Sequence, residues 1–287
     1  MLTSLKTILQ QAEKGSYAVL APDFPSLFVA RVLLQCAEEC NAPLILSYST
    51  VFKPMCDLGN YARFIRTLRD EIEHLRIPVS LHLDHATELD DISEAIDAGF
   101  TSVMIDASQE SYEVNVARTQ KTISLSRIKN VSVEAELGHV GSGEDYLNPN
   151  GLAGFLTDPA IAIEFVKECE IDALAVSIGN THGAYKGVPN LDFDRLQELN
   201  EQIQVPLVLH GTSGLSNDAI EQTIHLGIRK INLYTDIISA YMQRTRKDIL
   251  HPGSNPITVA AAQAEGVADV FKHYLTASGS IGKAGSE

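Results

Sequence analysis

The sequence has no excess of positive charge. It sets 22 Lys and Arg against 37 Asp and Glu, a formal net charge of −15. That argues against nucleic acid or an anionic membrane as a main partner, while leaving room for a phosphorylated substrate in a locally positive pocket. It has few cysteines, Cys36, Cys40, Cys56 and Cys169, and no pair at metal or redox spacing. So sparse and irregular a set in a chain of this size fits a reducing, cytoplasmic compartment. No apolar run reaches membrane-spanning length. Residues 1–14 carry Leu2, Leu5, Ile8, Leu9 and Ala12 at helical spacing, interrupted by Lys6 and Gln10, which reads as an amphipathic helix and not a signal peptide. There is also no linker or shift in composition, so the 287 residues read as one domain, 1–287, with a loose Gly/Ser-rich tail from about 277 to 287.

What is present is regular alternation. Short apolar runs at Ser16–Ala21, Pro43–Ser49, Val79–His85, Phe100–Ile105, Val131–Glu136, Ile171–Ile178, Val205–Leu209 and Ile228–Leu233 each precede a stretch with helical periodicity. Eight βα units predict an α/β fold of the closed (β/α)8 TIM-barrel type, with extra helices at both ends. A doubly wound sheet would need a Gly-rich phosphate turn after its first strand, and the residues there are Ala21-Pro22-Asp23-Phe24-Pro25.

A barrel brings every strand's carboxyl end to one rim. In Val79-Ser80-Leu81-His82-Leu83-Asp84-His85, period two puts His82 and Asp84 on one face and Leu81, Leu83 and His85 on the other, until the strand ends. A carboxylate at the end of a buried strand is costly unless paired or used. The apolar runs before His182-Gly183 and His210-Gly211 end in the same way. Any one of these histidines could be an ordinary hydrogen-bonded residue. Three at one rim, His85, His182 and His210, make a ligand set with an open fourth position, as a catalytic zinc requires. Asp84, Asp106 and Glu136 ring the same mouth. Asp106 and Glu136 suit either a catalytic role or orientation of the histidines. The loop Gly138–Tyr146 carries Glu144, which either closes over a substrate to move a proton or belongs to a merely acidic loop. Gly211-Thr212-Ser213-Gly214 and Asn232-Leu233-Tyr234-Thr235 follow strands seven and eight, the usual phosphate site of this barrel, and Lys186 could add a cation. Together these residues point to a metal-dependent lyase or isomerase acting on a sugar phosphate.

These stretches resemble the class II, zinc-dependent fructose-/tagatose-bisphosphate aldolase family. The resemblance runs nearly end to end, through His82-Leu83-Asp84-His85, Ala98–Asp106, Val133–Gly138, His182–Gly187, Leu209–Gly214, Lys230-Ile231-Asn232 and Gly279–Ala284. It implies Zn2+ on His85, His182 and His210, polarising a ketose carbonyl and stabilising an enediolate. Asp84 would exchange the C4 hydroxyl proton as the C3–C4 bond breaks, and Glu144 a proton on the dihydroxyacetone phosphate carbon. Asp106 and Glu136 match a second divalent position. Gly183, Lys186, Gly211, Ser213, Asn232 and Thr235 match the dihydroxyacetone phosphate site, with Na+ or K+ nearby, and Thr212 and Tyr234 are candidates beside them. A homodimer or homotetramer is implied as well.

The departures cluster on the aldehyde side. Asp23 stands where the family usually has Asn, and Ser47 and Val51 replace Gln and Gly, while Ser49 matches; apart from these, Tyr234 replaces a small polar residue. Asp23 would place negative charge near a second phosphate, so the expected aldehyde half is altered. Two other readings stay open at this stage, a non-catalytic aldolase-like partner subunit and a zinc-dependent sugar-phosphate isomerase or epimerase.

Overall fold

Eight parallel strands close on themselves in chain order: β1 (Val19–Pro22), β2 (Leu44–Ser49), β3 (Val79–Ala86), β4 (Ser102–Ile105), β5 (Ser132–Leu137), β6 (Ala173–Val176), β7 (Leu207–Leu209) and β8 (Ile228–Leu233), with β8 returning to β1. The structure, a computed structural model, describes residues 1–56, 61–142 and 155–285. Helix α1 (Leu5–Gly15) precedes the barrel. Around it run α2 (Leu27–Glu39), the short α3 (Lys53–Cys56), α4 (Tyr61–Glu73), α5 (Leu89–Ala98), α6 (Tyr112–Arg127), α7 (Pro159–Glu168), α8 (Phe193–Gln202), α9 (Asn217–His225), α10 (Thr235–Ile249) and α11 (Pro256–Ala277). This is the expected (β/α)8 architecture. Among the described residues no helix is long and apolar enough to cross a membrane.

Local chemistry sets the element ends. The Ser4 hydroxyl caps α1 by accepting from Thr7 N at 3.1 Å. Asp158 caps α7 ahead of Pro159. Asn255 and Thr258 form a capping box ahead of α11. Ser16 sits at φ 51° and closes α1, so the first strand starts at Val19 and not at Ser16.

The strands sort their side chains by alternation. Outward residues pack under the helices in one large apolar layer. A separate inner cluster fills the amino-terminal half of the barrel, where Leu5, Ile8, Leu9 and Ala12 of α1 plug the opening against Val19, Ala21, Ile45, Met104, Ala173, Ala175 and Val208. The tail departs from expectation. Ser278 O accepts from Ala18 N at 3.1 Å, Gly282 N donates to Cys40 O at 3.0 Å and Ala284 N donates to Asn41 O at 2.9 Å. Ala284 is buried. The tail's Gly and Ser residues are turn formers, and these bonds fasten it to the residue before β1 and to the turn after α2.

Candidate active site

The site lies at the carboxyl ends of the strands, and β3 supplies its centre. Asp84 is buried, and both its carboxylate oxygens accept from Asn232 Nδ2 at 3.1 Å. Burial would raise its pKa. His85, a hydrogen bond from His82, Lys230 and His210 outweigh that and hold the carboxyl well below the usual range.

Strict alternation sends His85 outward with Leu81 and Leu83. The structure turns it inward instead, because His85 sits at φ 48° and the β3–β4 register shifts between Leu83 and Ala86. Neighbouring residues thus face one space. His85 Nδ1 donates to Asp106 Oδ2 at 2.8 Å, and His85 Nε2 lies 2.8 Å from His210 Nδ1. Ser108 N and Oγ fix the other Asp106 oxygen at 3.1 and 2.7 Å. His182 completes the group, with ring centroids 4.9 Å from His85 and 5.9 Å from His210. A ligating atom from each of the three histidines lies within 4.8 Å of the other two.

Electrostatics favour a cation here. Burial would lower the His85 pKa, but Asp84, Asp106 and Glu136 push it up to about 10. Burial and the His85 charge push His182 down to about 3. Burial and Asp106 push Glu136 up to about 8, and its Oε2 is buried with no hydrogen-bond partner among the described residues. Three carboxyls therefore crowd a space in which one imidazolium supplies positive charge. Three imidazole donors facing that space, beside an unpartnered carboxylate oxygen, fit a divalent ion. His85, Asp106 and Glu136 form a second cluster of suitable spacing.

A cavity of about 130 Å³ opens beside this cluster, lined by Asp23, Asp84, His85, His182, Gly183, Gly211, Thr212, Ser213, Asn232, Leu233, Tyr234 and Thr235. Most of the expected phosphate residues are thus together. Gly211 sits at φ 64°, where an added Cβ would overlap the Thr181 carbonyl oxygen. That close approach holds the segments after β6 and β7, which bear His182 and His210, side by side, and Tyr185 Oη donates to Gly211 O at 2.8 Å. Ser213 Oγ accepts from Asp236 N at 3.2 Å, in the first turn of α10.

Lys186 is exposed and outside this lining, as is Val51. Ser49 ends β2 beside Asp84 and is buried without lining the cavity, and Ser47 lies deeper in the barrel. Glu144 lies outside the described residues. Asp23 is 9% exposed and lines the cavity, its Oδ1 without a hydrogen-bond partner among the described residues. Burial, then Asp84, push its pKa well up. The sequence reading missed Ser108 and the buried Glu134 and Lys230. Glu134 shares the inward face of β5 with Glu136, and Lys230 that of β8 with Asn232, so alternation from a known site residue was the available signal.

Larger hollows of about 470 and 730 Å³ lie at the opposite, amino-terminal rim near Lys6 and Asp172. They lack the histidine cluster, so the chemistry and not the volume marks the site.

A closed parallel barrel with three imidazoles and three carboxyls at its carboxyl rim is the layout of a barrel enzyme that works with a divalent ion. The sequence profile described as "Fructose-bisphosphate aldolase class-II" matches residues 3–283. The chain belongs to that family, and it is an aldolase, a carbon–carbon lyase. The family acts on sugar phosphates and is generally zinc-dependent. The chain is similar to the YdjI aldolase from Escherichia coli K12, at 29% identity over 99% of this chain and 100% of that one, with a TM-score of 0.88. A putative fructose-1,6-biphosphate aldolase from Coccidioides immitis is 29% identical, with 98% and 97% covered and a TM-score of 0.87. Fructose-bisphosphate aldolase from Campylobacter jejuni shares the fold at 21% identity, with 98% and 97% covered and a TM-score of 0.80.

Proposed function

We propose that the enzyme cleaves a ketose 1-phosphate reversibly to dihydroxyacetone phosphate and an aldehyde, with zinc held by His85, His182 and His210. The observation that carries this reading is the Asp84 carboxylate, fixed by Asn232 and set directly beside the histidine cluster. Bound there, the ion supplies Lewis-acid polarisation of the substrate carbonyl. Asp84 accepts the proton of the C4 hydroxyl, on the carbon that becomes the aldehyde as the C3–C4 bond breaks, and returns it in the condensation direction. Asn232 keeps both Asp84 oxygens oriented for that exchange. Gly183, Gly211, Thr212, Ser213 and Thr235 receive the phosphate through backbone N–H groups and hydroxyls, supported by their convergence on one cavity. Lys186 is assigned no contact in the present geometry. Glu144 is assigned the proton exchange at the ketone fragment, and Asp106 and Glu136 either orient His85 or accept a second ion. The homodimer or homotetramer implied by the resemblance belongs to the same reading.

On the aldehyde side, Asp23 faces the substrate with an unpartnered oxygen, and no Lys or Arg lines the cavity among the described residues. A second phosphate would meet a carboxyl and no counter-charge. The preferred aldehyde is therefore hydroxylated and carries no phosphate. A coupled assay for dihydroxyacetone phosphate over ketose 1-phosphates and 1,6-bisphosphates, with and without chelator, tests both parts. Chelator-sensitive release fastest from monophosphates is expected. Isomerised product without cleavage would replace the aldolase reading, and a strong preference for bisphosphates would remove the assignment of Asp23.

A further inference from the structure

Beneath the mouth, the next interior layer of the barrel is ionic. His82, Ser102, Glu134 and Lys230 point inward from β3, β4, β5 and β8, and all four are fully buried. Lys230 Nζ lies 2.8 Å from Glu134 Oε2 and 3.0 Å from Oε1, 3.4 Å from His82 Nε2 and 3.8 Å from Asp84 Oδ1. His82 Nδ1 meets Ser102 Oγ at 2.8 Å. His82, Asp84 and Glu134 are spaced closely enough to hold a metal, but a resident ammonium already stands against them.

A buried ion pair is weak grounds for stability. Replacing a buried ion pair by apolar residues is often neutral or stabilising, whereas breaking it by removing one partner is costly. The pair has a further contact that apolar residues could not make, since His210 Nε2 lies 3.0 Å from Glu134 Oε1. An ionised carboxylate is acceptor-only, so the hydrogen must sit on His210 Nε2. That leaves the Nδ1 lone pair facing the mouth, 2.8 Å from His85 Nε2.

We infer that Glu134, neutralised by Lys230, is a positioning residue that fixes the tautomer and ring orientation of His210, so that Nδ1 is the atom offered to the metal. The inference rests on the reading of His85, His182 and His210 as metal ligands. Glu134 reaches the reaction through His210, whereas Lys230 also faces Asp84 directly at 3.8 Å, which is why both variants carry Lys230→Met and only the residue at 134 differs between them.

Two charge-balanced double variants of the full-length enzyme test it. Glu134→Gln/Lys230→Met keeps an acceptor for His210, and Glu134→Leu/Lys230→Met removes it. Zinc affinity is read by competition with a chelator of known strength, after circular dichroism shows that each variant is folded. The Gln variant is expected to stay within about threefold of wild type, and the Leu variant to bind roughly 10–100-fold more weakly, as for other outer partners of ligating histidines. Equal affinities in the two variants, or an equal loss in both, would overturn the inference. If either variant does not fold, ¹⁵N histidine spectra of zinc-loaded wild type decide, with His210 assigned by comparison with His210→Ala. A hydrogen on Nε2 supports the inference, and a hydrogen on Nδ1 refutes it. Failure of wild type to bind zinc, or unchanged binding by His210→Ala, would instead remove the metal reading itself.

Discussion

Gly211→Ala should do more damage than its size suggests. At φ 64° an L side chain costs about 1–2 kcal/mol in backbone strain. The added methyl would also overlap the Thr181 carbonyl oxygen, which must retreat by about 1 Å to reach van der Waals contact. Thr181 precedes His182 and Gly211 follows His210, so that movement separates two of the three site histidines. Misplacement on this scale costs on the order of 100-fold in rate. Gly253→Ala is the control, because Gly253 has φ 89° with nothing within 4 Å of an added Cβ. It carries the strain without the clash, and should lower Tm by about 2–8 °C, taking roughly 2–4 °C per kcal/mol. Gly211→Ala should lower Tm further, weaken zinc binding and reduce kcat/KM by about 100-fold. Calorimetry, chelator competition and the coupled aldolase assay read the three effects. If Gly211→Ala matches Gly253→Ala in Tm and keeps kcat/KM within threefold of wild type, the close approach of Gly211 to Thr181 does not hold the site.

Three further expectations follow from the mouth. Asp84→Asn should lower kcat by at least 100-fold while zinc content stays at the wild-type level, because Asp84 moves a proton and His85, His182 and His210 hold the ion; metal analysis beside steady-state kinetics checks the split. Asp23, its pKa pushed up by burial and Asp84, should discriminate against phosphorylated aldehyde halves increasingly as pH rises and it ionises. A full charge about 7 Å from a phosphate charge, at an effective dielectric near 20, costs about 2.4 kcal/mol, or about 50-fold. Asp23→Asn should abolish that pH dependence, and an unchanged profile would count against the assignment. In metal-free protein, Glu136 and His85 have pKa values raised to about 8 and about 10. The folded state then holds protons that the unfolded chain has released, so Tm should fall as pH rises through 8 towards 10. Zinc takes over the role of those protons, so the loaded protein should show a flatter profile in the same calorimetric scans.

The barrel was legible because eight apolar runs, each followed by a helical pattern, leave few alternatives, and because strand-end histidines acquire meaning once all strand ends share a rim. His85 shows where periodicity stops. Its pattern pointed outward, and a left-handed residue with a register shift reversed it. Lys230 shows another limit, for the sequence places it in the eighth strand and among the family stretches but gives no sign that its buried side chain pairs inside the barrel. Its partner Glu134 comes from β5, and no local pattern links residues that far apart. The tail failed on composition alone, since Gly and Ser serve a tight docked turn as readily as a loose end.

The three site histidines come from β3 and from the segments that follow β6 and β7, with the intervening strands laid down between them. No fragment of the barrel short of β7 can assemble the set. The ion would therefore bind late, acting as a clasp that recognises only the closed ring. Its binding free energy would add to the stability of the whole barrel and give nothing to a half-formed one. Zinc should then slow global opening without speeding the early, local steps of folding.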